Sequence, residues 1–357
     1  IGRTNTTQIQ STFKTPFRER TDRAVALRES GINLTTTASY DHEAVRTLVA
    51  DIAAYVTRDP IDAQIQSFDY ATRTFSFTES QPGVTLDQDL LYERVTAALD
   101  RWESGVTVTV DPIVTEPAVT KDELVASFGL VAAYTTETTN DSNRNTNIDL
   151  ACQAINGTAL MPGETFSFNQ ATGQRTTEKG YKSAGAIAAG QSIEEVGGGI
   201  CQVSSTLFNA VARANLEIVS RSPHAWPSTY VNIGEDATVN WPNLDFQFKN
   251  NTNSPIFIIT YYKNRRMSAE IWGMSLGEGV TIDLQSTVVK TIDPPSEIKY
   301  ELNTELPYGT EKTTVKARTG YVVETEKVWY KDGQETSREL LHTSNYRAYQ
   351  QVIEYNY

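Results

Sequence analysis

The stretch Gly197-Gly198-Gly199-Ile200-Cys201-Gln202-Val203-Ser204-Ser205-Thr206-Leu207 decides how this chain is read. A run of glycines leads directly into Ile200, Val203, Leu207, Val211 and Ala214, apolar positions at helical spacing. The spacing predicts a helix over 201–214 with the Cys201 thiol on its first turn. A helix start leaves N–H groups without partners and carries partial positive charge. A thiol held there ionises readily and becomes a nucleophile. Core packing is the default for cysteine, so position on the helix has to decide. Cys201 falls off the apolar stripe, beside Ser205 and Phe208. Cys152 falls on one, with Ile148, Ala151 and Ile155. The pattern reads Cys152 as core and Cys201 as functional. The differing helical phases also argue against a disulfide between them.

A cysteine nucleophile needs a base for its proton and a group that orients the base. The chain has 3 His: His42, His224 and His342. His224 shares the central segment with Cys201. It stands in Arg221-Ser222-Pro223-His224-Ala225-Trp226-Pro227, where the prolines fix the local backbone. Asp236, in Gly234-Glu235-Asp236-Ala237-Thr238, is the candidate orienter, at the head of an expected strand. The predicted catalytic set is therefore Cys201, His224 and Asp236. Oxyanion donors are expected among the N–H groups from Gly199 through Gln202, with Gly199, Ile200 and Gln202 lining the site. Ser204 and Ser205 are expected to line the cleft. A cysteine and a histidine alone do not make a zinc site. The glycine run lacks the Lys-Ser/Thr of a phosphate loop, and there is no GxSxG elbow. Neither a metal nor a cofactor is expected.

Working outward, the 357 residues suggest two or three domains. The net charge of −13 and the absence of a basic block count against nucleic-acid binding. No apolar run approaches the ~20 residues that cross a bilayer. The chain begins at Ile1, which suggests that a signal or anchor segment preceded it. Residues 1–20 read as a tail. Residues 21–118 read as a small α+β domain: a helix over Asp41–Thr57, a hairpin from Ala63–Phe68 and Arg73–Thr78, a helix from Asp87 to Leu99, and a strand over Val106–Val110. Residues 119–273 form an α+β central domain of catalytic type. It opens on the capping box Thr120-Lys121-Asp122-Glu123, crosses a Thr/Asn-rich linker over Thr135–Asn147 and enters a helix over 147–155. Strands are expected at Ala237–Asn240, Asp245–Phe248 and Ile256–Tyr262. Residues 279–357 alternate as an all-β module, expected as an extended single-layer sheet with a turn at Lys331-Asp332-Gly333. The fold class is multidomain α+β.

The central segment resembles the VanW family. The matching stretches are Asn156-Gly157, Pro162 through Asn169, Gly173-Gln174-Arg175-Thr176 with Lys179-Gly180-Tyr181, Gly197 through Asn209, the His224 loop, Gly234 through Val239 and Phe246 through Thr252. Together they span roughly residues 130–273. The family's usual Gly-Arg-Asp reads Gly234-Glu235-Asp236 here. Residues 20–118 resemble the peptidoglycan-binding domain that often precedes VanW. Thr287–Asn356 resembles a G5 domain through Pro294-Pro295, Leu306 through Thr310, Gly320-Tyr321 and Tyr330 through Gly333. The resemblance implies an extracytoplasmic protein at the cell surface or in the wall. Its partners would be peptidoglycan stem peptides and glycan strands, and the membrane would be reached only through an N-terminal anchor outside this chain. It also implies an L,D-transpeptidase that forms 3–3 cross-links through a Cys201 acyl-thioester. Arg175, Tyr181, Arg221 and Trp226 are the substrate-binding candidates, with Lys182 a further cation. A cysteine peptidoglycan amidase or endopeptidase, and a non-catalytic wall-binding scaffold, are the alternatives.

Overall fold

The structure is a computed structural model and describes residues 16–31, 39–102, 104–188 and 191–357. It divides into two compact units, Ile1–Ala63 with Glu79–Lys121, and Gln64–Thr78 with Asp122–Tyr357. Residues 1–15 of the expected tail lie outside the described residues. Its end is helical instead, because α1 (Phe17–Ser30) begins there.

In the first unit α2 (His42–Val56) starts where Asp41 accepts the N–H groups of Glu43 and Ala44. β1 (Ile65–Asp69) and β2 (Thr74–Phe77) form the expected hairpin, but that hairpin belongs to the second unit. There Phe68 and Phe75 stack with Phe257 and Trp272, and Arg73 forks onto Glu270. β3 (Gly83–Thr85) pairs with β4 (Ile113–Thr115) around α3 (Gln88–Asp100). Val45 and Val49 of α2 pack on Leu91 of α3. Val106–Val110 is not a strand. Val108 and Val110 pack against the helix pair without a partner strand, so the alternation there records side-chain aim rather than sheet pairing.

The second unit opens with α4 (Lys121–Ser127) and β5 (Phe128–Glu137). The supposed linker is structured, since β5 runs through Thr135 and Thr136 to Glu137 and α5 (Ser142–Ile155) begins at an Asp141 cap. Thr135 and Thr136 are held in strand by pairing with Ser268 and Met267, a partner that local composition does not reveal. Next come β6 (Thr158–Leu160), β7 (Thr165–Ser167), α6 (Phe168–Thr172), β8 (Ser183–Ala188), β9 (Gln191–Val196) and α7 (Ile200–Arg213). β10 (Glu217–Ser220), β11 (Gln247–Lys249), β12 (Ile256–Lys263) and β13 (Arg266–Met274) complete the central part. The main sheet has the order β5-β13-β12-β6. A smaller one runs β10-β11-β7, and β8 and β9 form a hairpin.

Helix α7 lies at the centre of the core. Ile200 and every residue from Gln202 to Ala212 are buried. The expected contrast between an apolar stripe and an open face therefore fails for this helix: Phe208, placed off the stripe, is as buried as Leu207. The polar residues on its other face are satisfied internally. Ala237–Asn240 is also not a strand, apart from a bridge between Asn240 and Leu244. Ala237 bonds to hydroxyls of α7 instead: its N–H donates to Ser205 Oγ (2.9 Å) and its carbonyl accepts from Ser204 Oγ (2.6 Å).

The C-terminal part is all-β, as expected, but it is not a single layer. β14 (Val280–Ile292), β15 (Lys299–Leu302), β16 (Thr310–Val315), β17 (Gly320–Lys331), β18 (Gln334–Tyr346) and β19 (Val352–Asn356) form two three-stranded sheets. Their orders are β14-β17-β18 and β15-β19-β16, with β15 parallel to β19. The β17–β18 turn places Asp332 and Gly333 at positive φ (51° and 78°), the geometry a two-residue hairpin needs. The whole is a multidomain α+β chain. Among the described residues no helix is long and apolar enough to cross a membrane.

Candidate active site

The glycine run places the cysteine, and two of its members do so for different reasons. A Cβ on Gly198 would lie 2.3 Å from the Ala184 carbonyl oxygen, so the β8 backbone and the helix entrance approach closely only without a side chain. Gly199 has φ 103° and ends the loop in the left-handed region, with the Arg144 side chain across it. Cys201 follows on the first turn of α7 as a free, half-buried thiol. Its Sγ lies 3.4 Å from the Val239 carbonyl oxygen.

His224, which is 8% exposed, comes within hydrogen-bonding reach of Cys201. Its Nδ1–H donates to Asp236 Oδ2 at 2.5 Å, and its backbone N–H donates to the same oxygen at 2.7 Å. This turns Nε2 away from the carboxylate, with the Tyr230 hydroxyl 3.5 Å from it, the orientation a nucleophile–base–carboxylate relay requires. Asp236 is buried and also accepts from Arg221 (3.0 Å) and from the Tyr346 hydroxyl (2.6 Å). The structure thus bonds His224 to Asp236 and sets Cys201 near enough that His224 and the thiol shift each other's ionisation.

The electrostatics follow from that geometry. Burial is the largest influence on the Cys201 thiol and opposes its ionisation. The hydrogen bond and charge of His224, the Val239 contact and the Arg175 charge outweigh it, and the pKa falls below the ordinary thiol value. Burial likewise opposes the charge of His224, but Asp236 and Cys201 hold its pKa up at about 9. Burial pushes Asp236 up, and the bonds and charges of His224, Arg221 and Tyr346 overcome this to bring it to about 2. Both directions favour charge separation between the thiol and the imidazole, with the carboxylate behind the ring.

The expected oxyanion set changes in detail. The Ile200 N–H donates to Gly197 O (3.3 Å) and the Gln202 N–H to Gly199 O (3.0 Å), while among the described residues the Gly199 and Cys201 N–H groups have no backbone partner. The Gln202 side chain is buried in bonds to Arg144, Thr136 and the Glu137 carbonyl. Ser204 and Ser205 staple α7 to Ala237 rather than line a cleft. Of the substrate-binding candidates, Arg175 carries charge near the sulfur and donates to Gly173 O, with no other hydrogen bond among the described residues. Tyr181 is buried nearby, its hydroxyl pKa raised by burial. Arg221 does not fit the role, because its guanidinium is spent on Asp236, Gly234 and Ser344. Trp226 does not either: it is buried edge-on to Tyr349 with Arg318 4.3 Å above its ring. Lys182 is exposed. The sequence reading missed Tyr230, whose hydroxyl sits 3.5 Å from His224 Nε2 and whose pKa is raised first by burial and then by the Cys201 charge. Tyr230 sits in the His224 loop, but no spacing rule singles it out there.

Comparison with known proteins places this geometry. The family model described as "VanW like protein" matches residues 143–272, which contain the whole relay. The chain belongs to the VanW family. "Putative peptidoglycan binding domain" matches residues 5–107 and "G5 domain" matches 285–356. "Uncharacterized protein YoaR" of Bacillus subtilis is 34% identical over 289 residues, 80% of this chain and 90% of that one. "Vancomycin B-type resistance protein VanW" of Enterococcus faecalis is 33% identical over 116 residues, 31% of this chain and 42% of that one. Among solved structures, "IgA1 Protease G5 domain structure" is 20% identical, covering 22% of this chain and 92% of that one at a TM-score of 0.15. "Crystal structure of HP0197-G5" is 14% identical, covering 21% and 96% at 0.12. The domain content is that of a peptidoglycan-associated cell-wall protein of this family.

Proposed function

We propose that the chain is a cysteine acyltransferase acting on peptidoglycan stem peptides, an L,D-transpeptidase that forms 3–3 cross-links. The observation that carries this reading is the His224–Asp236 hydrogen bond beside Cys201, with the sulfur at the start of a helix whose Gly199 and Cys201 N–H groups have no backbone partner among the described residues.

In this reading the Cys201 thiolate attacks the carbonyl of the third residue of a donor stem. The tetrahedral oxyanion collects the open N–H groups. Collapse breaks the peptide bond to the terminal D-Ala, whose amine leaves with the proton from His224 Nε2. The acyl group stays on sulfur as a thioester. A neutral side-chain amine of a second stem attacks it, gives a proton to His224, and expels Cys201 as thiolate. One amide breaks, one forms, and the thiolate–imidazolium pair returns. In this reading Arg175, whose charge acts on the Cys201 sulfur, holds a stem carboxylate.

Purified tetrapeptide muropeptides analysed by mass spectrometry test this. The expected result is cross-linked dimer plus free D-Ala with the wild type and neither with Cys201→Ala. Shortened stems without dimer would make the protein a hydrolase. Unchanged muropeptides would remove the enzymatic reading and leave a wall-binding scaffold, and full turnover by Cys201→Ala would remove Cys201 as the nucleophile.

A further inference from the structure

We propose that the C-terminal β module is a working part of this site, with Tyr346 a positioning residue that fixes the Asp236 carboxylate, and through it His224, toward Cys201. This rests on the relay proposed above, so its test reads the sulfur directly rather than the reaction.

Asp236 lies in the central part of the second unit, but one of its hydrogen-bond donors comes from the last residue of β18. The Tyr346 ring is 1% exposed. Its hydroxyl donates to Asp236 Oδ1 (2.6 Å) and accepts the Gly234 N–H (2.8 Å), which uses its one proton and fixes its direction. Behind it, fully buried Ser344 accepts from Arg221 Nη1 (2.7 Å), and Arg221 itself reaches Asp236 through both a backbone and a side-chain oxygen. His342 Nε2 donates to Gly234 O at 2.8 Å. Burial and the Arg221 charge hold its pKa down at about 4, so it stays neutral and keeps that donor role.

Gly234 shows how closely the module fits. Its φ is 94°, and a Cβ there would meet Thr325 Oγ1 at 2.6 Å, Val323 Cγ1 at 2.9 Å and Ser286 Oγ at 3.0 Å, all from the module's first sheet. The far end of the catalytic loop is gripped as well. Arg347 N–H donates to Ala225 O (3.1 Å), and Arg318 and Tyr349 enclose Trp226. The segment from Arg221 to Asp236 thus has module contacts at both ends. A sheet that only spaced the enzyme from its anchor would not need its buried hydroxyl on the carboxylate of the relay.

Tyr346→Phe keeps the buried ring and deletes the bond. The readout is the pH midpoint of Cys201 alkylation by iodoacetamide, followed by peptide mass spectrometry on the full chain. With Asp236 loosened, His224 supports the thiolate less well, and the midpoint should rise by roughly 0.5–1 pH unit. Ser344→Ala should move it the same way by less. Ile353→Ala, a buried change in the module's second sheet, should lower stability without moving the midpoint. If Tyr346→Phe fails to fold, Ser344→Ala against Ile353→Ala carries the comparison. A depressed wild-type midpoint that neither site variant shifts, or that Ile353→Ala shifts equally, overturns the positioning role alone. A wild-type midpoint at the ordinary thiol value sinks the relay together with it.

Discussion

Cys152 and Cys201 sit on two helices that share one core, and they end in opposite chemical states. Cys152 lies near the end of α5, 1% exposed, among Ile148, Ala151 and Ile155. Burial, aided by the charge of Asp149, pushes its thiol well above the ordinary value. Cys201 lies on the first turn of α7, and burial opposes its ionisation too. There a histidine, an arginine and the open end of a helix reverse the outcome. Burial alone therefore does not assign a cysteine to structure or chemistry. What decides is whether the surroundings supply positive charge at the sulfur.

The sharpest way to break this contrast is to delete each sulfur in turn. Cys201→Ala should reduce cross-link formation by about 10⁴-fold or more, since an essential nucleophile has no substitute. Next in size is labelling of the intact protein. At pH 6 iodoacetamide should modify Cys201 at least ~100-fold faster than Cys152, because the thiol pKa is lowered at Cys201 and raised at Cys152. Similar rates would show that the two environments are chemically alike.

This contrast also shows what could be read from sequence. Cys152 lies in the core as its helical phase indicates, but the reason offered for setting Cys201 apart did not hold. The helix has no open face. Cys201 is distinguished by standing at its end, a position the glycines announce. Asp236 was found, yet its expected strand is a loop tied to Ser204 and Ser205, because side-chain hydroxyls took the place of a partner strand. The hairpin at 65–77 was legible as a hairpin, but its aromatic packing partners Phe257 and Trp272 lie far away in sequence and were not. For the same reason nothing local marked Arg221 as a prop for Asp236 or Tyr346 as its donor. Periodicity reports local conformation and leaves long-range partners unspecified.

Asp236→Asn should have an intermediate effect on the reaction, roughly a 10- to 100-fold loss in kcat, less than removal of the nucleophile. It should also move the alkaline limb of the kcat/KM–pH profile. In the wild type His224 keeps its proton up to about 9, above its ordinary 6.5. Without the carboxylate that limb should shift downward. Stability carries the same signature. A histidine whose pKa is raised on folding contributes stability that is fully present below 6.5 and lost as pH rises through about 9. Asp236, depressed to about 2, contributes stability present above its ordinary 3.8 and lost as pH falls through about 2. Denaturant midpoints between pH 6 and 10 should therefore fall more in the wild type than in Asp236→Asn.

Cys152→Ala should affect activity least of all. The sulfur fills space between α5 and the main sheet, where its own carbonyl accepts from the Thr260 hydroxyl at 2.7 Å. That bond uses the backbone and survives the substitution. What is lost is one buried, uncharged atom, a small cavity worth about 1–2 kcal/mol, and the melting point should drop by ~2–4 °C. Turnover and the Cys201 labelling profile should stay at wild-type values. A variant that lost activity while keeping its stability would mean that Cys152 reaches the chemistry after all, and two thiols with opposite ionisation would then have to act on one substrate.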